Sequence, residues 1–131
     1  MTDTLSEKDF RTLGVRAARA ADDKKGEEIL LLHLKKISEV ADYLLLIGVT
    51  SPAHLGAIED AIRISLKTIG LLPSHRDGRM SDLWRVLDYG GLVVHLMHPQ
   101  ARDFYQLEKL FDGARKIPWA LRTSRTVKKH A

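Results

Sequence analysis

The chain has 131 residues, of which 44% are hydrophobic and 29% are charged, and its formal net charge is +4. That length suits one domain with a single core, and the absence of cysteine excludes disulfides, thiolate metal ligands and cysteine nucleophiles. No segment approaches the roughly 20 apolar residues that span a bilayer, and no apolar run follows the acidic N-terminus. We therefore expect a cytoplasmic protein, or one of an organelle matrix, without a membrane partner.

The first part of the chain predicts one helix followed by two strands. From about Ser6 to Asp22, apolar residues recur at helical spacing with charges between them. The segments Ile29–Leu34 and Tyr43–Val49 are nearly continuous apolar runs. Such runs are typical of strands that are covered on both faces.

A second helix is predicted after Ser51, which is a favourable N-cap, with Pro52 at the first helical position. Glu59 and Arg63 lie one turn apart, so we expect them to pair on the outer face. Gly70 is a natural C-terminal stop. The apolar stripe of this helix consists of Leu55, Ile58, Ile62 and Ile69, with Ala61 and Leu66 in support.

A β-hairpin is predicted around Gly90-Gly91, after a loop at residues 71–79 that has room for a short strand. A two-residue turn pairs Trp84 with Met97 and Val86 with His95. One face of the hairpin then carries Leu87, Tyr89, Leu92, Val94 and Leu96 around Arg85. Because that face is the more apolar, it should be the core side, which leaves Trp84, His95 and Met97 as the candidate working face.

Pro99 begins a last predicted helix that runs to about Phe111. Phe104, Leu107 and Phe111 share one of its faces, and Arg102, Tyr105 and Lys109 share another. The elements together predict a single α/β domain over residues 1–118, with a mixed sheet flanked by helices. Trp119 is a candidate last anchor, and residues 119–131 form a basic C-terminal tail.

The net positive charge belongs to the end of the chain. Six basic residues and no acid occur from Arg115 onward, which leaves 15 basic against 17 acidic residues in positions 1–114. Such a tail adds attraction to phosphate without sequence preference, so weak contact with nucleic acid is one interpretation. The alternative interpretation is a solvated end without a partner.

An ordered series of short motifs resembles the ribosomal silencing factors, the Iojap-related family. Its members here are Ala41-Asp42-Tyr43, Thr50-Ser51 with His54, Trp84-Arg85-Val86-Leu87-Asp88-Tyr89-Gly90, Val93-Val94-His95, Ala101-Arg102, and Phe104-Tyr105 with Leu107-Glu108. The series covers residues 29–112. The chain departs from the family pattern at His33, Gly91 and Phe111, where the family commonly carries an acid, an acid and tryptophan.

The resemblance implies both a fold and a function. The fold is a nucleotidyltransferase-like α/β domain. The function is docking on the large ribosomal subunit through ribosomal protein L-fourteen, where the bound protein obstructs joining of the small subunit and represses translation. Members of the family are often dimeric in isolation. In this chain the first helix and the candidate working face with Trp84 both offer apolar surface for a homodimer.

Trp84 is the first candidate for partner contact, because a large aromatic side chain on the less apolar hairpin face is typical of interface hot spots. Tyr105 is the second, with His95 and Met97 extending the same patch and Arg102 and Lys109 forming a charged rim. The alternatives are a core tryptophan and a structural histidine. Asp88 and Tyr89 match the family motif, although an Asp beside a turn commonly caps backbone amides.

Ribosome binding, with a weak contact of the basic tail to ribosomal RNA, has two alternatives. A metal-dependent nucleotidyltransferase needs converging carboxylates, yet the sequence contains no Asp-x-Asp, and Asp88 stands alone on its strand. Of the six histidines only His95 and His98 are close in sequence, and a strand directs them to opposite faces, so we predict no metal, no cofactor and no catalytic residue. A nonspecific RNA-binding protein acting through its tail is the other alternative.

Overall fold

The structure, a computed structural model, describes residues 7–34, 41–78, 83–100 and 113–120. Helix α1 spans Glu7–Asp23 and confirms the first predicted helix. Its small and apolar residues Leu13, Ala17, Ala18 and Ala21 are at most 5% exposed. The alanines allow α1 to lie close to the sheet and to α2, since they present no long side chain.

Strands β1 (Glu27–His33) and β2 (Tyr43–Gly48) confirm the two predicted strands. They pair antiparallel, with Leu31 opposite Leu45. Every residue of β2 is buried, as its apolar run predicts. In β1 only Leu31 and Leu32 are fully buried, because the strand begins with two exposed glutamates.

Helix α2 spans Pro52–Lys67. The hydroxyl of Ser51 accepts a hydrogen bond from the backbone N–H of His54 at 3.0 Å, which confirms the predicted N-cap. The apolar stripe is correct for Leu55, Ile58 and Ile62 but wrong for Ile69, which is 48% exposed. The helix ends at Lys67, so Ile69 falls beyond its last turn, whereas Leu66, a supporting member of the predicted stripe, is buried as expected.

The remaining strands are β3 (His75–Asp77), β4 (Trp84–Asp88), β5 (Leu92–Met97) and β6 (Arg115–Lys116). All six strands form one sheet in the order β3-β4-β5-β2-β1-β6. Among the strands of the described residues, β2 and β5 pair in parallel and the other neighbours pair antiparallel. The predicted mixed sheet is therefore confirmed, and β3 is the short strand for which the 71–79 loop had room.

The hairpin register is also confirmed, with Trp84 opposite Met97 and Val86 opposite His95. Tyr89 N–H donates to the carbonyl of Leu92 at 2.8 Å and closes the two-residue turn. Gly90 takes a φ of 89°, which suits a turn with a left-handed first position. A Cβ on Gly91 would lie 2.4 Å from the ring of Phe10, so only glycine lets α1 pack against this turn.

The sheet separates two apolar layers. The larger layer joins α1 and α2 to one face, around Leu45, Ile47, Leu87, Val94 and Leu96. The smaller layer lies on the opposite face. It consists of Leu32, Leu34, Leu44, Leu46 and Met97, with Trp84 packed against it.

The C-terminal part of the described chain returns to β1. Ile117 is 4% exposed, and its N–H donates to the carbonyl of Leu31 at 2.8 Å. The indole N–H of Trp119 donates to the carbonyl of Ile29 at 3.3 Å. Trp119 thus anchors the chain, while the predicted last helix beyond Gln100 and the tail from residue 121 lie outside the described residues.

Candidate functional site

Trp84 and His95 form a pair on the face of the hairpin that is turned away from α1 and α2. The indole N–H of Trp84 donates to Nδ1 of His95 at 2.9 Å, and the two rings lie 5.7 Å apart at 36°. Both side chains are half-buried. The pair is the point where the predicted working face reaches the surface.

The hydrogen bond fixes the protonation state of His95. An indole nitrogen can only donate, so Nδ1 must carry a lone pair and the proton of the neutral ring lies on Nε2. Burial lowers the pKa of His95 from 6.5 to about 4. At neutral pH the ring is uncharged, so the pair presents a neutral aromatic surface.

Met97 does not belong to the exposed part of this face, contrary to the prediction. Its side chain is 0% exposed and packs in the smaller apolar layer with Leu44 and Leu46. The reason is its packing: Met97 lies within the smaller apolar layer, where side chains of β1 and β2 and the Trp84 ring of β4 pack together. A side chain so placed belongs to the layer against which Trp84 packs.

Asp88 and Tyr89 take structural positions as well. The carboxylate of Asp88 accepts a hydrogen bond from the N–H of Gly90 at 2.8 Å, so the capping alternative is confirmed. Tyr89 is 5% exposed and joins the larger apolar layer, on the face opposite Trp84. Of the predicted contact residues, Arg102, Tyr105 and Lys109 lie outside the described part of the chain.

The most polar buried feature was predicted wrongly. Glu59 does not pair with Arg63 on the outer face of α2; it is 2% exposed and faces the sheet. Nε and Nη2 of Arg76 both donate to its Oε2, at 2.9 and 2.6 Å. Nη1 of Arg85 donates to its Oε1. These partners are 17 and 26 residues from Glu59, so no local spacing rule could have found them.

His54, one of the family-like residues, joins three parts of the chain. Its Nδ1 accepts from the backbone N–H of Thr50 at 2.9 Å, and its Nε2 lies 2.8 Å from the carbonyl of Lys24. The backbone partners require the tautomer that is protonated on Nε2. His54 therefore locks the start of α2 to the turn that follows α1, which is a structural role.

Within the four described ranges, no group of three or more His, Cys, Asp or Glu side chains could hold a metal ion. No helix in those ranges is long and apolar enough to cross a membrane. The arrangement that remains is a single α/β domain with one polar network under α2 and one half-buried aromatic pair on the opposite face of the sheet.

Comparisons with known proteins identify the class. Residues 7–131 match the family model described as "Ribosomal silencing factor during starvation". A Bacillus subtilis protein named ribosomal silencing factor RsfS is 38% identical over 98 residues, covering 75% of this chain and 83% of that protein. A crystal structure of the Chromobacterium violaceum protein CV0518 aligns with a TM-score of 0.75 and 28% identity, over 86% of this chain and 92% of the other.

The chain belongs to the ribosomal silencing factor family, as the motif series indicated. The match extends beyond the 29–112 region of that series and includes α1 and the C-terminal residues. A more distant relative from Mus musculus is named "Mitochondrial assembly of ribosomal large subunit protein 1" and is 29% identical over 94 residues, covering 67% of this chain and 40% of that protein.

Proposed function

We propose that this protein represses translation by binding the large ribosomal subunit, through ribosomal protein L-fourteen, and by sterically blocking the joining of the small subunit. The observation that carries the proposal is the family match over residues 7–131. The family is named for a regulator, and the name of the mouse relative refers to the large subunit. The choice of L-fourteen rests on the resemblance of the motif series.

The surface proposed for the contact is the Trp84 face, defined as Trp84 and His95 on β4 and β5. A half-buried aromatic residue that already packs on a rigid apolar layer loses little side-chain freedom when a partner covers it. The 2.9 Å bond to His95 holds the indole in one orientation. Both properties are those of binding hot spots, which combine large aromatic area with pre-organisation.

The opposite side of the sheet is unsuited to the same role. There α1 and α2 cover the central strands, and Leu45, Ile47 and Val94 are completely buried beneath them. Arg102, Tyr105 and Lys109 complete the proposed contact as an aromatic neighbour with a charged rim, which would tune encounter rate and orientation.

Sedimentation with separated ribosomal subunits tests the proposal. We expect the purified protein to migrate with the large subunit at physiological salt and not with the small subunit. Binding to both subunits, with a steep loss as salt rises, would instead indicate nonspecific RNA attraction through the basic tail. Binding of nucleotide with magnesium and no binding to either subunit would favour the nucleotidyltransferase alternative.

A further inference from the structure

The arginine–tyrosine cluster, formed by Glu59, Arg63, Arg76, Arg85 and Tyr89, lies between α2 and the β3–β4 end of the sheet. It is on the side of the sheet opposite the Trp84 face, so it plays no part in the proposed ribosomal contact. Three of its members are cations and one is an anion. The cluster therefore carries more positive than negative charge in a largely buried place.

Glu59 is already fully engaged by two of the three arginines. Its Oε2 accepts both Nε and Nη2 of Arg76, and its Oε1 accepts Nη1 of Arg85. Nε of Arg85 donates to the carbonyl of Gly78 at 3.0 Å. The single carboxylate thus balances one positive charge, and its accessible lone pairs are directed at Arg76 and Arg85 rather than at Arg63.

Two buried donors of the cluster point to a further acceptor. Nε of Arg63 and the hydroxyl of Tyr89 are buried and make no hydrogen bond within the described residues. Arg63 lies one helical turn after Glu59, and Tyr89 directly follows β4. The positive charge of Arg63 acts on the Tyr89 hydroxyl, so the two donors occur at the same end of the cluster. Buried polar groups are normally hydrogen-bonded, because leaving them unpaired is costly.

The charges within the cluster act on Tyr89. Burial raises the pKa of its hydroxyl to about 12, with the positive charge of Arg63 opposing that shift. The hydroxyl therefore keeps its proton at neutral pH and can donate. A guanidinium Nε–H can only donate. Both groups can therefore donate to one species that accepts hydrogen bonds, and the surplus of positive charge in the cluster favours an anion.

We propose that the arginine–tyrosine cluster binds a phosphate group, held by Arg63 and Tyr89 and reached from solvent beside Arg76. The side chain of Arg76, on the edge strand β3, is 29% exposed, against 3% for Glu59 and 13% for Arg85, so Arg76 is the member of this ion-pair network that solvent reaches most. Planar guanidinium groups suit phosphate because they present parallel N–H donors to neighbouring oxygens. Inorganic phosphate and the terminal phosphate of a nucleotide share this chemistry.

Isothermal titration of the full chain with inorganic phosphate, in EDTA and at constant ionic strength, tests this site. We expect saturable binding that Arg63→Met and Tyr89→Phe each weaken by about tenfold or more, the loss expected for a charge-assisted hydrogen bond. The matched control is Lys67→Gln, which removes one positive charge from the exposed last turn of the same helix and should leave the affinity unchanged.

The same titration with a nucleoside monophosphate distinguishes the two sources, since tighter binding than that of inorganic phosphate assigns the site to a nucleotide. Thermal unfolding at increasing phosphate concentration is a second measurement, for the case that a variant is less stable than the parent. A bound anion raises the unfolding midpoint of the parent in a saturable way, whatever the stability of the variants. No saturable binding would overturn the proposal. An equal, non-saturable rise of the midpoint in the parent and both variants would also overturn it, because excluded salts stabilise any folded protein.

Discussion

The indole N–H of Trp84 and Nδ1 of His95 lie 2.9 Å apart and tie the two strands of the β4–β5 hairpin together on the face opposite α1 and α2. The bond exists only while His95 is neutral, because protonation of Nδ1 would place an N–H donor against the indole N–H and leave no acceptor. The orientation of the proposed anchor residue therefore depends on the protonation state of its neighbour.

The first prediction is a loss of stability at mildly acidic pH. His95 has a pKa of about 4 in the folded chain and 6.5 in the unfolded chain, so the unfolded state binds more protons between these values. Its contribution is fully present above pH 6.5 and disappears as the pH falls to 4. Over that window it amounts to at most roughly 3 kcal/mol, from about 1.4 kcal/mol per pKa unit.

Urea denaturation at several pH values measures this loss. His95→Asn is the matched variant, since its amide oxygen can accept the Trp84 hydrogen bond but does not titrate. We expect the parent to lose more stability than this variant between pH 7 and pH 5. Parallel pH profiles for the two proteins would show that His95 is not the titrating group.

The second prediction concerns Glu59. Glu59→Gln leaves Arg76 and Arg85 without a compensating charge in a buried position, and we expect a loss of about 3 kcal/mol or more in the free energy of unfolding. Asp60→Asn is the control, because it makes the same acid-to-amide change on the same helix at a neighbouring residue that is exposed. Equal stability of the two variants in chemical denaturation would contradict the buried ion-pair network.

The third prediction concerns the contact of α1 with the hairpin turn. Gly91→Ala places a methyl group against the ring of Phe10, and we expect a loss of about 1–3 kcal/mol, as is usual for overpacking. The same substitution should be nearly neutral in a Phe10→Ala background. This double-mutant cycle measures the coupling directly.

Gly56→Ala is the control for that cycle. Gly56 lies in α2 and has nothing within 4 Å of an added Cβ, so alanine there should stabilise the chain by up to about 1 kcal/mol. A destabilising effect that persists after Phe10 is removed would mean that Gly91 is needed for its backbone and not for the close approach.

The fourth prediction separates the tail from the domain. Trp119 must be kept, because its indole donates to Ile29 and its carbonyl accepts from Nε of Arg19 at 2.8 Å. We therefore expect a truncation after Ala120 to retain binding to the large subunit, with a smaller dependence on salt. If the truncated chain is folded but does not bind, residues 121–131 make the contact with the subunit.

Local sequence patterns predicted most of the fold because each depends on neighbours in the chain. Helical spacing predicted α1 and α2, apolar runs predicted β1 and β2, and Gly90-Gly91 fixed the hairpin register. Strand β6 was missed, since Arg115–Lys116 carries no apolar pattern and is a strand only because β1 offers it backbone partners.

The candidate site was less predictable, because its residues depend on contacts between distant segments. The alternation of β5 placed Met97 on the correct face, but its burial depends on packing with Leu32, Leu44 and Leu46 of distant strands, which no local pattern encodes. Glu59 was assigned to the solvent because charged residues on a helix usually face it. Its partners, Arg76 on β3 and Arg85 on β4, are 17 and 26 residues away along the chain.

The central claim is that this domain, when bound, prevents the subunits from joining, and an order-of-addition joining assay tests it most directly. We predict that protein added to large subunits before small subunits arrive reduces the yield of joined ribosomes. As a hot spot, Trp84 should contribute about 2 kcal/mol to binding. Trp84→Ala should therefore raise the protein concentration needed for half-maximal inhibition roughly thirtyfold. Ile64→Ala, at a 63% exposed position on α2, should inhibit like the parent. Undiminished joining at saturating protein would contradict the account.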